Sequence, residues 1–243
     1  MAPEKIDQTV INIIIAVCVV LLTLVFYLIY NRVRSTKRSI LLTGICGGGK
    51  TLLYTRLVLE CFKNTHTSIK ENVSEYITDA GSSVELVAIP GHERLRTRFL
   101  DQYKSCARGL IYVIDSATIQ KEVKDVAEFL YNILTDPEIV GSCNNVLIFC
   151  NKQDIPTAKG ASLIKTLLEK ELNTLRSTKT HALESTEGEE TKEIFLGSPA
   201  ADFVFEQLHP CEVKFAEGFA NEGDEKEGEE DLEQLKTWIE KIV

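Results

Sequence analysis

The chain has 243 residues, of which 44% are hydrophobic, and a formal net charge of −9. This length is enough for one globular domain of about 200 residues plus appendages, and it excludes a second large domain. The acidic balance excludes nucleic acid as a main direct partner, because phosphate binding needs clustered Lys and Arg. The seven cysteines are odd in number and contain no CxxC pair, which indicates reduced thiols rather than a structural metal site.

An uncharged run of 21 residues, Val10 to Tyr30, is the first predicted element. At 1.5 Å per residue it would extend about 31 Å, which matches the hydrocarbon core of a bilayer. A cleaved signal peptide is the alternative, but its apolar region would be shorter and would end in small residues. We therefore predict one transmembrane helix over 10–30, preceded by a short lumenal segment, 1–9.

A basic cluster follows the apolar run: Arg32, Arg34, Lys37 and Arg38. The other side of the run offers only Lys5, which lies among acidic residues. Because Lys and Arg favour the cytosolic side of a membrane, this asymmetry sets the orientation. We predict a basic juxtamembrane linker over 31–38 and a cytosolic domain over 39–243.

From Ser39 onward, short apolar runs alternate with helical patterns, which is typical of an α/β domain with a mostly parallel central sheet flanked by helices. The predicted strands are Ser39–Thr43, Asn72–Thr78, Ser83–Ile89, Leu110–Asp115 and Val146–Cys150. The turn residues 79–82 indicate a hairpin between the second and third of these strands. The predicted helices include Thr51–Phe62 and Asp231–Ile242. Two polar, low-complexity segments, 177–199 and 221–230, are predicted to be mobile loops.

The first strand is followed by the sequence GICGGGKT, residues 44–51, which fits the phosphate-binding pattern G-x-x-x-x-G-K-[ST]. The glycines let the backbone wrap around phosphate: Gly44, Gly47, Gly48 and Gly49. The amides at the start of the helix, through Leu52, then face the anion. Lys50 would reach the β and γ phosphates, and the Thr51 hydroxyl would ligate Mg²⁺. A merely flexible glycine-rich turn would not need the Lys-Thr pair.

The residues Asn151, Lys152, Gln153 and Asp154 follow another predicted strand and match the guanine-recognition motif N-K-x-D. The Asp154 carboxylate can accept hydrogen bonds from both N1–H and the exocyclic amino group of guanine. Adenine offers neither donor there, so the motif selects GTP over ATP. Asn151 would brace the phosphate loop, and the stem of Lys152 would cover the purine. A polar turn with a helix cap is the alternative for this motif alone.

Between these motifs, residues 89–93 (IPGHE) stand where GTP-binding proteins carry D-x-x-G. The Gly91 amide is predicted to bind the γ-phosphate, and His92 stands where active GTPases often place a water-positioning Gln. The Asp position is occupied by Ala88, which cannot accept a hydrogen bond from metal-bound water. We therefore expect weaker magnesium coordination, and we expect His92, the one catalytic candidate, to support slow hydrolysis at most.

Two further loops complete the predicted pocket. Ser68 is the first choice for the switch hydroxyl that joins Thr51 on magnesium, with Thr67 as the alternative and an ordinary polar loop as a third possibility. Near the end of the chain, Ala220 in the sequence FAN occupies the place of an S-A-K motif, whose alanine amide meets guanine O6. The flanking residues do not match that motif.

These motifs and two helical strings, VKDVAEFLY (123–131) and LEKELNTLR (168–176), resemble the family of signal recognition particle receptor beta subunits, relatives of the ADP-ribosylation-factor GTPases. The resemblance covers essentially the whole chain. It implies a P-loop GTPase fold and a single-pass protein of the endoplasmic reticulum membrane. It also implies that the GTP-bound form holds the N-terminal domain of the receptor alpha subunit and so serves, indirectly, the ribosome and the signal recognition particle. Ala88 departs from the D-L-P-G that most members carry.

Three functions are compatible with these residues. The first is a GTP-loaded receptor subunit that uses the nucleotide to order its switch loops for a partner. The second is a cycling trafficking GTPase of the ADP-ribosylation-factor type, against which the apolar span speaks. The third is a nucleotide-independent scaffold, which Ala88 and the unmatched base loop would explain. A P-loop kinase would leave Asp154 without a task.

Overall fold

The computed structural model describes residues 12, 16–27, 39–184, 195–197, 201–220 and 231–243. The chain divides into two compact units, Met1–Lys37 and Arg38–Val243. In the first unit, residues 16–27 are helical and exposed. Within the described ranges, no helix is both long and apolar enough to cross a bilayer. The remainder of the predicted span 10–30, together with segments 1–9 and 31–38, lies outside the described residues.

The second unit is built on one six-stranded sheet. Its strands are β1 (Ser39–Thr43), β2 (Asn72–Ile77), β3 (Ser83–Ala88), β4 (Ala107–Asp115), β5 (Asn145–Asn151) and β6 (Glu212–Glu217). Their order is β2-β3-β1-β4-β5-β6. Among the strands of the described residues, only the β2–β3 pair, joined by the predicted hairpin, is antiparallel, and every other neighbouring pair is parallel. The expectation of a mostly parallel α/β sheet is confirmed.

Helices cover both faces of the sheet. They are α1 (Lys50–Leu59), α2 (Glu93–Tyr103), α3 (Ile119–Thr135), α4 (Pro137–Ser142), α5 (Ala161–Glu184) and α6 (Glu233–Ile242), with short 3-10 turns at Lys104–Cys106 and Phe205–Gln207. Helix α1 stops before Phe62, where the sequence predicted its end, because Glu60 takes a left-handed conformation with φ 50°. A left-handed residue at this position terminates a helix.

Alternation along the buried strands divides the core into two apolar layers. Leu41 and Tyr112 point to the layer that holds α3 and α5. Leu42 and Val113 point to the opposite layer, which holds α1 and α6. Helix α1 therefore shares its side of the sheet with the C-terminal part of the chain.

The predicted mobile loop 177–199 is wrong in its first part, because α5 continues to Glu184. The physical reason is contact with α3: the Lys179 ammonium lies 4.5 Å from the centre of the Tyr131 ring and donates to Asn132 Oδ1 at 2.8 Å. Leu196, near the end of that segment, is buried in the core. The other predicted loop, 221–230, lies outside the described residues. Strand β6 was not predicted from the sequence. It is a short edge strand whose alternation of polar and apolar residues covers only four positions, 212–215.

Candidate functional site

The P-loop connects β1 to α1 through glycines that no other residue could replace without strain. Gly44 has φ 134°, and a Cβ atom there would lie 2.4 Å from the Val113 carbonyl oxygen of β4. Gly49, with φ 87°, precedes the first helical residue, Lys50. The backbone therefore turns sharply between a buried strand and a helix N-terminus, the geometry that presents main-chain amides to an anion.

Lys50 is the buried cation of this loop. It is 7% exposed, and its ammonium donates to the Ile45 carbonyl oxygen at 2.5 Å. Burial lowers the pKa of Lys50 to about 8, the nearby Cys46 raises it, and Arg96 lowers it further. A phosphate bound in the loop would favour the charged ammonium and bring the pKa back up. The buried Lys50 ammonium is therefore placed to bind a phosphate group of the nucleotide.

A cavity of 180 Å³ lies in front of the P-loop and brings together three segments that are far apart in sequence. It is lined by P-loop residues, by the switch segment 65–68 and by residues 89–91. Both candidate switch hydroxyls, Thr67 and Ser68, line it. Only for Ser68 does the structure give a contact with Thr51, whose Oγ1 lies 3.0 Å from Ser68 Oγ.

The Thr51–Ser68 pair suits a small octahedral cation. Two adjacent ligands on an octahedral Mg²⁺ with bonds of about 2.1 Å are separated by about 3.0 Å. The two hydroxyl oxygens lie 3.0 Å apart, where they hydrogen-bond to each other and where they could also be adjacent ligands of one ion. Asn72 at the start of β2 donates to Ser68 Oγ at 3.5 Å and helps to fix its position. Thr51 and Ser68 would thus hold the metal directly, and the metal would neutralise charge between the phosphates.

Ala88 stands where D-x-x-G proteins have the Asp that binds the metal through water, and it cannot take that role. Ala88 ends β3, is 3% exposed and packs among apolar residues beside Leu42 of β1. Its methyl group has no lone pair to offer to metal-bound water. The residues present therefore fit the direct ligands of magnesium and lack one indirect support.

Replacing Ala88 by Asp should raise the affinity for GTP about tenfold when Mg²⁺ is present, because a carboxylate in this place accepts hydrogen bonds from metal-bound water. The affinity in excess EDTA should not rise. Titration of both proteins with GTP, with and without Mg²⁺, measures the difference. Ala88→Asn is the matched control of similar size without charge, and we expect a smaller gain from it. Equal magnesium dependence in Ala88→Asp and the unmodified chain would contradict the expectation.

Gly91 lines the cavity, whereas its neighbour His92 is exposed to solvent. A Cβ on Gly91 would lie 2.6 Å from Lys50 Nζ and 2.7 Å from the Ile45 carbonyl oxygen, so only glycine lets this segment lie against the P-loop. His92 is exposed and is the N-cap of α2, where its side chain makes no capping hydrogen bond. Its assignment as a water-positioning residue stays a prediction.

On the base side, Asn151 joins the two nucleotide motifs. Its Nδ2 donates to the Gly48 carbonyl oxygen at 2.8 Å, across 103 positions of sequence. Its Oδ1 is buried and, in the part of the chain that the structure describes, has no hydrogen-bond partner. Buried polar atoms are normally paired, so this oxygen is available to a ligand or an ordered water.

The rest of the motif is held by a residue that the sequence reasoning did not single out. Lys152 has a left-handed backbone, φ 67°, and its ammonium lies 2.6 Å from Asp115 Oδ2 at the end of β4. The other oxygen, Asp115 Oδ1, accepts from the Ala117 amide at 2.9 Å. A carboxylate at the carboxyl end of a buried parallel strand was the signal that could have identified it. Asp154 is exposed, with its carboxylate accessible to a base.

Gln153 ties this motif to the two neighbouring loops. Its side-chain amide donates to Ser116 Oγ and to the Lys159 carbonyl oxygen, each at 3.0 Å. Its backbone amide donates to the Gly218 carbonyl oxygen at 3.2 Å, next to the loop that contains Ala220. Residues 151–154 and 218–220 therefore lie side by side at the carboxyl edge of the sheet, where ligands bind in open α/β sheets.

Comparison with known proteins agrees with this geometry. The model of the signal recognition particle receptor beta subunit family matches residues 35–212. The signal recognition particle receptor subunit beta of Homo sapiens is 44% identical over 242 residues, which cover 99% of this chain and 89% of that protein. In the structure of the mammalian SRP receptor, one chain has a TM-score of 0.72 and 41% identity, covering 85% of this chain and 100% of that chain. The SRb-GDP-Mg structure from Chaetomium thermophilum has a TM-score of 0.63 and 26% identity, covering 85% of this chain and 97% of that one. The chain therefore belongs to the signal recognition particle receptor beta subunit family.

Proposed function

We propose that this chain is the GTP-binding subunit of a signal recognition particle receptor, which holds the receptor alpha subunit at the endoplasmic reticulum membrane for cotranslational protein targeting. One observation carries the proposal: the Asn151–Gly48 hydrogen bond braces a complete P-loop against a complete N-K-x-D motif in a member of this family. The pocket takes GTP, with Asp154 for the base and Lys50 for the phosphates. The related SRb structure with GDP and Mg supports magnesium as the accompanying ion.

The partner is the N-terminal domain of the alpha subunit, and the switch segments carry the nucleotide signal to it. Residues 65–68 and 89–91 line one cavity with the P-loop, so a γ-phosphate placed there would contact both segments. Contact with γ-phosphate orders switch segments in this fold. GTP therefore stabilises a conformation of these two segments that GDP does not stabilise, and the alpha subunit binds that conformation. Hydrolysis is slow because Ala88 and His92 replace the usual Asp and Gln.

The membrane anchor is the apolar span 10–30, with the GTP-binding domain on the cytosolic side. The proposal is supported by the absence of charge over 21 residues and by the basic cluster that follows. The anchor keeps this chain at the membrane, and this chain then recruits the alpha subunit to the membrane. The links to the ribosome and the signal recognition particle are indirect and run through the alpha subunit.

A nucleotide-independent scaffold is the second candidate, and Ala88 is the observation that favours it. A scaffold has no use for a metal-supporting carboxylate, so its loss would be tolerated. The intact Thr51–Ser68 pair and the buried Lys50 favour the GTP-dependent receptor subunit instead.

Binding of the alpha subunit in different nucleotide states distinguishes the two candidates. The full chain, in detergent micelles, is stripped of nucleotide and loaded with GTP or GDP. The N-terminal domain of the alpha subunit is then retained on it and quantified, together with the nucleotide content by chromatography. We expect at least about tenfold tighter retention with GTP than with GDP, as for other γ-phosphate-ordered switches. Equal retention in both states would support the scaffold and contradict our proposal.

A further inference from the structure

The loop that should meet the guanine O6 lacks the flanking residues of its motif. Phe219 and Asn221 stand where the S-A-K pattern has Ser and Lys, and only Ala220 matches. The backbone before Ala220 is nevertheless fixed. Phe219 and Asp231 exchange two backbone hydrogen bonds of 3.2 and 3.1 Å. Gly218 leaves no room for a side chain, because a Cβ there would lie 2.2 Å from the Asp231 carbonyl oxygen.

The support after Ala220 comes from the P-loop helix. Arg56 lies on α1, six residues after Lys50, and its Nε donates to the Ala220 carbonyl oxygen at 3.1 Å. The two residues are 164 positions apart in sequence and are 5% and 2% exposed. The guanidinium also lies 5.4 Å from the centre of the Phe62 ring, which keeps it in place. A charge-assisted hydrogen bond in so buried a place is stronger than one in water.

We propose that Arg56 is a positioning residue for guanine recognition, which compensates for the lost flanks of the base-loop motif by holding Ala220 from the P-loop helix. The inference rests on the proposed function, since it concerns how the same pocket reads GTP. Arg56 does not contact nucleotide. By fixing the Ala220 carbonyl while the Phe219–Asp231 bridge fixes the preceding residue, it holds the Ala220 amide in line with the O6 of guanine bound at Asp154.

The contact with O6 gives a readout that a merely structural role would not change. A nucleotide that lacks O6, 2-aminopurine riboside diphosphate, keeps the exocyclic amino group and the phosphates of GDP but cannot accept from Ala220. It also lacks the N1–H that Asp154 would accept, which weakens it equally in the unmodified chain and in each variant, so the ratio of variant to unmodified affinities reports the contact with O6. We expect Arg56→Met to weaken GDP about fivefold, the loss typical of one neutral hydrogen bond such as that from the Ala220 amide to O6. We expect it to weaken the O6-lacking nucleotide less than about twofold, because the misplaced amide costs that ligand nothing.

Arg176 offers a matched control on the other face of the sheet. It is also buried, its NH2 group donates to the Ala201 carbonyl oxygen at 2.7 Å, and it lies 5.4 Å from the centre of the Phe195 ring. Arg176→Met should lower the melting temperature as Arg56→Met does, and it should leave the ratio of the two affinities unchanged.

Equilibrium titration of the full chain in detergent, with GDP and with 2-aminopurine riboside diphosphate, tests the proposal. Arg56→Lys is measured in parallel in case the Met variant does not fold. We expect a smaller change in the same direction, because the lysine ammonium can still donate but does not reproduce the geometry of the arginine Nε–H. Equal weakening of both nucleotides, or an unchanged ratio in a folded Arg56 variant, would overturn the inference. If the unmodified chain binds neither nucleotide, the proposed function itself fails, which is a separate outcome.

Discussion

Replacing Lys50 by Met should weaken GTP and GDP at least about a hundredfold, the equivalent of about 3 kcal/mol, because the variant loses the ammonium that would contact the phosphates. The same change should stabilise the nucleotide-free protein at pH 7. Burial lowers the pKa of Lys50 from 10.5 to about 8, so keeping the ammonium charged in the fold costs about 3 kcal/mol. Loss of its hydrogen bond to Ile45 offsets about 1 kcal/mol, which leaves a net gain of about 2 kcal/mol.

The pH dependence separates this cost from other effects of the substitution. Below pH 8 Lys50 is charged in both the folded and the unfolded chain, and the cost is fully present. Between about pH 8 and 10.5 the folded state releases its proton first, the unfolded state binds more protons, and the stability of the unmodified chain rises relative to Lys50→Met. Urea unfolding of the nucleotide-free proteins at pH 7 and near pH 10 should show the stability difference shrinking.

A matched control is Lys124→Met on the exposed side of α3, which should change neither nucleotide binding nor stability by more than about 0.5 kcal/mol. A Lys50→Met protein that binds GTP as well as the unmodified chain would remove the P-loop from the proposed mechanism. A stability difference that stays constant with pH would show that its cause is packing and not the buried charge.

The sequence predicts those parts of the fold that are determined by residues close together in the chain. Continuous apolar runs such as Leu110–Asp115 indicate strands buried on both faces, and the structure places them in the middle of the sheet. The P-loop is recognisable because its glycines, its Lys and its Thr act within eight consecutive positions. By contrast, α5 extends beyond residue 177 because Lys179 contacts Tyr131 and Asn132 of α3, and no local pattern announces that packing.

The residues that hold the candidate site in place could not be predicted from the sequence, because their partners are also distant in the chain. Arg56 is one basic residue on an otherwise ordinary helix, and its partner Ala220 stands 164 positions later. Asp115 carries a weak signal as the last residue of a buried strand, but its ion pair with Lys152 depends on the left-handed turn that follows β5. Motifs therefore predict which residues face a ligand, and the fold determines which residues hold them there.

Ala88 shows how the two kinds of information combine. The sequence indicates a missing carboxylate, and the structure shows that the methyl group is accommodated in an apolar layer while Thr51 and Ser68 keep a separation suited to a metal. The substitution thus removes one indirect support and leaves the direct ligands in place. We therefore expect a pocket that still binds GTP and relies less on magnesium than those of D-x-x-G proteins.

Replacing Asp154 by Asn should reverse the preference of the pocket between guanine and xanthine. The carboxylate would accept hydrogen bonds from N1–H and the amino group of guanine, whereas the Asn side chain has one acceptor and one donor. Its donor would face the guanine amino group, and the loss of two charge-assisted bonds should weaken GDP at least about a hundredfold. Xanthine carries an oxygen where guanine carries the amino group, so it can accept from that donor while its N1–H bonds the Asn oxygen.

Competition between GDP and xanthosine diphosphate for the full chain measures the reversal directly. Asp202→Asn is the matched control, since Asp202 is exposed and accepts from Asn173 Nδ2 at 2.9 Å on α5, away from the base loops. The control should keep the preference for GDP. An Asp154→Asn protein that loses both nucleotides equally would show that Asp154 supports the loop without reading the base, and specificity would then have to come from the Ala220 amide alone. A reversed preference would show that the side chain at position 154 reads the edge of the base that carries N1–H and the amino group.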